Sequence, residues 1–170
     1  MSRLYVCSLA RIEETVTRTG ARSLVTLLSP GTQVVRPEAI ASERHLNIAM
    51  SDIVEAAPGQ VLPQHGHVQM LIEFVERWDR VAPMVIHCFA GVSRSTASAF
   101  VAACALSPHR DECEIAAALR KASPTATPNA RFVAIADELL GREGRMSKAI
   151  EAIGRGADCF ECEPFALEIS

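Results

Sequence analysis

Cys88, Arg94 and Ser95 lie close together in the segment Val85-Ile86-His87-Cys88-Phe89-Ala90-Gly91-Val92-Ser93-Arg94-Ser95. The cysteine ends an apolar, strand-like run, and a helical pattern opens at Ser93-Arg94. Strand, tight loop and helix start together make an anion site. Successive backbone N–H groups of Phe89, Ala90, Gly91, Val92 and Ser93 can turn inward onto one tetrahedral oxyanion such as phosphate or sulfate. The helix N-terminus adds unpaired donors and its dipole. Gly91 supplies the backbone freedom that so tight a curve needs. The same field favours the thiolate of a cysteine placed there, which is the nucleophilic form. The Arg94 fork can hold two phosphate oxygens and meet charge that grows in a five-coordinate transition state. Ser95 can donate a hydrogen bond to the thiolate as it leaves.

The elements that must position these groups follow from the apolar pattern. Leu4–Leu9, Ser23–Leu28, His45–Met50 and Pro83–Cys88 read as strands, with a further short edge strand expected between Gln33 and Glu43. Near-continuous apolar runs such as SLVTLL suit strands buried on both faces. Glu13–Thr19 is a weak helix ended by Gly20. Val68, Leu71, Ile72, Phe74, Val75 and Trp78 recur at helical steps. Ser93–Leu106 is apolar nearly all round, so it belongs in the middle of the domain. Three helices follow, capped at Asp111, at Asn129 and near Gly144. Strands alternating with helices give an α/β fold. We expect a three-layer domain with a central, mostly parallel sheet of four or five strands flanked by helices. The anion loop then sits between a central strand and a buried helix. In such folds ligands gather at the carboxyl ends of the strands, where Cys88 lies. The expected division is a single catalytic domain over residues 1–156 and a C-terminal tail over 157–170.

The chain of 170 residues, 49% hydrophobic and 22% charged, is of single-domain size and globular composition. A net charge of −3 argues against a nucleic-acid partner. No apolar run reaches the length of a membrane span, and Glu13 and Glu14 interrupt any signal-like start. A cytoplasmic location, free thiols and no membrane partner are therefore expected. Cys159 and Cys162 form a lone C-x-x-C without the further ligands a zinc site needs, so no metal and no cofactor is expected.

His-Cys-Phe-Ala-Gly-Val-Ser-Arg-Ser resembles the active-site loop of the cysteine-dependent protein tyrosine phosphatases, in particular the dual-specificity branch. The resemblance implies hydrolysis of phosphotyrosine, with phosphoserine and phosphothreonine as further candidates, in a phosphorylated protein or peptide partner. It implies a phosphocysteine on Cys88, with the phosphoryl group held by Arg94 and the loop amides. His87 would hold the loop and tune the thiol, and Ser95 would assist thiolate departure. It also requires an acid in a loop after an earlier strand. Asp52, 36 residues before Cys88, fits this, with Glu55 in reserve. Asn129, in Thr127-Pro128-Asn129, would steady the loop as in such relatives, or act only as a helix cap. The chain has no Trp-Pro-Asp triplet, and its one Tyr is Tyr5, which argues against the larger receptor-type enzymes. A phosphate-binding protein without turnover and a rhodanese-like sulfurtransferase are the alternatives.

Overall fold

The computed structural model describes residues 2–169. Five strands, β1 (Ser2–Ser8), β2 (Ser23–Leu28), β3 (His45–Ala49), β4 (Met84–Cys88) and β5 (Phe165–Ile169), form one sheet in the order β3-β2-β4-β1-β5. β4 is central. It pairs in parallel with β1 and β2, and β3 extends the parallel set beside β2. Only β5 is antiparallel, pairing Phe165 with Val6 and Ile169 with Ser2. All five residues of β4 and all six of β2 are buried, as expected of strands covered on both faces.

Two apolar layers sandwich the sheet, and period-two alternation sorts side chains between them. On one face Cys7, Leu24 and Val85 pack against Ile12 and Val16 of helix α1 (Ile12–Thr19), with Ile40 from the long loop that follows β2. On the other, Val6, Val25, Leu27 and Ile86 pack beneath α2 (His65–Glu76), α3 (Arg94–Leu106), α4 (Glu112–Ala122), α5 (Ala130–Leu139) and α6 (Arg145–Ile153). α3 is the pivot of this layer, and twelve of its thirteen residues are buried. Its run of Ala and Ser lets neighbouring helices approach closely.

Helix ends follow the local chemistry. The Asp111 carboxylate accepts the N–H groups of Cys113 and Glu114, which caps α4. Gly20 closes α1 in the left-handed region at φ +69°. Among the described residues no helix is long and apolar enough to cross a membrane.

Two expectations are corrected. No strand forms between Gln33 and Glu43; that stretch is loop with one turn of 3-10 helix at Ser42–Arg44. β3 takes the place beside β2, and the stretch runs as the connection between them. The segment after residue 156 is not a tail either. Its β5 buries Phe165, Leu167 and Ile169 in the main core. This alternate burial supplies the apolar area that offsets the cost of ordering the segment.

Candidate active site

β4 delivers Cys88 to the carboxyl end of the sheet, where the thiol is buried. The next five residues turn back, and α3 begins at Arg94. Four carbonyls of this loop face outward and are tied to three different segments. Phe89 accepts from Leu9 N–H at 3.0 Å and Ala90 from Cys162 N–H at 2.8 Å. Val92 accepts from Thr127 N–H at 2.9 Å and Ser93 from Asn129 N–H at 3.2 Å. With the carbonyls turned out, the N–H groups turn in. The N–H of Gly91 reaches Cys88 Sγ at 3.3 Å. The N–H groups of Ala90, Val92 and Ser93 donate to no acceptor among the described residues.

Gly91 is required twice over. Its φ is +73°, a conformation that side chains disfavour. A Cβ there would also come within 2.4 Å of Cys162 Sγ and 2.9 Å of the Cys7 backbone. Cys162 is therefore part of the loop's support, which its C-x-x-C context did not suggest. Burial pushes the thiols of Cys7 and Cys162 up to about 12, so both are neutral packing groups. Cys7 packs in the α1 layer, on the opposite face from Cys88. Cys159 is exposed, and no group of three or more metal-ligating side chains occurs among the described residues.

Arg94 is 7% exposed. Its Nη1 donates to Ser29 Oγ at 3.2 Å and to the Met50 carbonyl at 3.0 Å. These acceptors stand just past the ends of β2 and β3, so the two strands aim the guanidinium. Both are neutral, and the buried Nε has no hydrogen-bond partner. A buried guanidinium with no carboxylate partner and one orphaned donor is the chemistry of a site that receives an anion. Ser95 Oγ lies 3.1 Å from Cys88 Sγ, close enough for a hydrogen bond between hydroxyl and sulfur.

His87 is fully buried and hydrogen-bonded at both ring nitrogens. Nδ1 is 3.1 Å from the Cys88 carbonyl, and Nε2 is 2.7 Å from Thr26 Oγ1. A carbonyl only accepts, so Nδ1 carries the proton and Nε2 accepts from the threonine hydroxyl. Thr26 Oγ1 in turn accepts from His45 Nε2 at 2.8 Å, giving a one-way chain from β3 through β2 to β4. Burial first, then the charges of His45 and Arg94, push His87 down to about 4, against the pull of the Cys88 carbonyl. The ring is neutral at pH 7 and clamps the start of the loop. Thr26 has no chemical signature in sequence; its role follows from the register that sets it opposite His87.

Asp52 is exposed and stands over the far side of the loop. Its Oδ1 accepts from Ser93 Oγ at 2.7 Å and from Asn129 Nδ2 at 3.0 Å. The Asn129 side chain makes contacts in two directions. Its Oδ1 caps α5 by accepting from Phe132 N–H, while Nδ2 reaches Asp52 and the Ile53 carbonyl. Glu55 lines the same groove as Asp52 and Ser93. The structure thus brings Cys88, Arg94, Ser95, His87, Asp52 and Asn129 together around one loop. Of that loop's own side chains, Phe89 points outward, 56% exposed.

Set against known proteins, residues 57–127 match the family model for protein-tyrosine phosphatase, a stretch that holds β4, the loop and the start of the helical half. Among solved structures, DUSP15 superposes with a TM-score of 0.64 at 20% identity, over 88% of this chain and 90% of that one. Human DUSP28 gives 0.61 at 19% identity, over 89% and 95%. A mouse protein described as a dual specificity phosphatase, complexed with zinc tungstate, gives 0.62 at 19%, over 86% of each chain. No curated protein is significantly similar in sequence. The family match covers the segment that carries HCFAGVSRS, and the solved structures share the fold over most of the chain.

Proposed function

We propose that the chain hydrolyses phosphate monoesters of protein side chains, phosphotyrosine first, through a phosphocysteine on Cys88. The observation that carries this reading is the buried Nε of Arg94, without a partner among the described residues, behind a loop with four carbonyls turned away. The mouse relative with tungstate, a tetrahedral dianion, agrees with it.

The Cys88 thiolate attacks phosphorus in line with the ester oxygen. The S–P bond forms as the P–O bond breaks. The loop amides and Arg94 meet the charge on the equatorial oxygens, where preorganised donors count most. Asp52 supplies a proton to the departing oxygen. Both of its donors converge on Oδ1, so Oδ2 is left to carry that proton. In the second half, water attacks the phosphocysteine and the carboxylate takes its proton. Ser95 donates to the sulfur as it leaves as thiolate. Neutral His87 keeps the Cys88 carbonyl fixed throughout.

The test is turnover of p-nitrophenyl phosphate and of a phosphotyrosine peptide in EDTA, wild type against Cys88→Ser. Metal-independent turnover, lost in Cys88→Ser with substrate binding retained, is the expected result. Activity of Cys88→Ser close to wild type would rule out the covalent intermediate.

A further inference from the structure

Two troughs leave the loop at Ser93. One, of about 280 Å³, runs toward Arg155, whose guanidinium is already closed on Asp158 at 2.6 Å. The other is larger, about 560 Å³, and its character differs. Ile53, Val54, Pro128 and Ala130 line it with hydrocarbon, and Val54 is half exposed. Besides Asp52, its one ionisable group is Glu55, an exposed carboxylate with no ion pair and no hydrogen bond among the described residues. Together the two troughs are lined by the carboxylates Asp52, Glu55 and Asp158 and by one cation, Arg155, which is closed on Asp158.

We propose that the larger trough takes a lysine or arginine side chain that a polypeptide substrate carries near its phosphorylated residue. This rests on the phosphatase reading of the loop and adds the class of substrate to it. A hydrocarbon floor that ends in a carboxylate matches a side chain with an aliphatic stem and a cationic head. The stem covers Ile53, Val54 and Pro128, and the head meets Glu55. The phosphoryl group of the same substrate sits on Arg94 and the loop amides, so its two charges meet opposite charges. An acidic flank would instead face Glu55 with no free cation beside it, and the negative rim steers such segments away.

The experiment measures binding by fluorescence anisotropy, with the full chain carrying Cys88→Ser so that nothing turns over. The probes are labelled phosphotyrosine peptides that differ only in the residues flanking the phosphotyrosine: lysine, norleucine or glutamate. Lysine should bind tightest and glutamate weakest, and the spread should shrink as salt rises. Adding Glu55→Gln should remove the lysine-over-norleucine advantage, about fivefold for a surface charge pair. Glu55→Lys should reverse the order of lysine and glutamate. Equal binding of the lysine and norleucine peptides would overturn the proposal in favour of a purely apolar subsite. An order unchanged in Glu55→Lys would overturn it as well. The catalytic reading is scored separately: p-nitrophenyl phosphate turnover with Cys88 intact has no flank, so its absence would sink that reading while the binding order still decides this one.

Discussion

The molecule buries two arginines in opposite ways. Arg142, at the junction of α3, α4 and α6, donates to Glu112 Oε1 at 2.6 Å and to the Cys104 carbonyl at 2.7 Å. Burial works against the Glu112 carboxylate, but hydrogen bonds from the backbone and Arg142, with the charge of Arg145, outweigh it and hold it below the usual range. Nearby, Asp137 accepts the N–H groups of Gly144, Met146 and Ser147 and so fixes the start of α6. This corner is closed: each charge is answered within the chain. Arg94 has no carboxylate partner among the described residues, and its buried Nε donates to none of them. The difference separates a charge used to hold helices together from one held ready for something that arrives.

Removing each arginine tests this. Arg94→Met should cut kcat/KM by roughly 10³–10⁵, the range for a guanidinium that meets transition-state charge in phosphoryl transfer. Its melting temperature should be no lower than that of wild type, because an unanswered buried donor goes with it. Phosphate should raise the Tm of wild type and not of the variant, which calorimetry with and without phosphate would read. A clear fall in Tm would place Arg94 in the same class as Arg142.

Asp52 lies on the open side of the comparison, held by two hydrogen bonds on an exposed loop. Asp52→Asn should slow aryl phosphates with poor leaving groups by roughly 10²–10⁴-fold and spare good ones. Equal losses across leaving groups of graded pKa would make Asp52 a residue that shapes the loop and nothing more. The same series on Glu55→Gln should be flat.

Arg142→Met leaves Glu112 buried with only Arg145 beside it. Denaturant titration should show a loss of about 3–5 kcal/mol, the cost of an uncompensated buried charge. Activity per folded molecule should stay within about twofold of wild type, since Arg142 bonds the C-terminal end of α3 and the loop joins its N-terminal end. A catalytic loss without a stability loss would erase the contrast.

The smallest effect concerns His87. Its ring is held neutral, with a folded-state value of about 4 against about 6.5 in the unfolded chain. Between those values the unfolded chain binds more protons, so stability falls as pH falls. The contribution is whole above pH 6.5 and lost by pH 4, up to about 3 kcal/mol in all. His87→Asn should make the stability curve shallower in that window by that amount. Denaturation midpoints at pH 7 and pH 4.5 for both proteins would show it.

What could be seen in the sequence follows the same division. The loop was legible because its chemistry is local: Cys88, Gly91, Arg94 and Ser95 share one segment, and their spacing requires the strand–loop–helix frame. The parallel strands were legible because burial on both faces writes itself as apolar runs. β5 was not, because FALEI carries weak alternation, follows Pro164, and gains its stability from β1 at the other end of the chain. The Thr26–His87 contact depends on strand register, and the support of Gly91 by Cys162 depends on β5 being in place. Neither leaves a mark on nearby residues. Asp52 could be picked by its interval from Cys88, but its partners Ser93 and Asn129 meet only once α3 and α5 have packed.

The antiparallel pairing of β5 with β1 has a consequence for how the protein is made. The loop's first residues leave the ribosome with their helix, yet the bond that fixes the Ala90 carbonyl comes from Cys162, and the thiol that backs Gly91 belongs to the same residue. Until that late segment emerges, β1 lacks one neighbour and the loop lacks its floor. A nascent chain can hold Cys88, Arg94 and Asp52 and still lack the support of the curve that joins them. The loop's frame is complete only once β5 has docked beside β1.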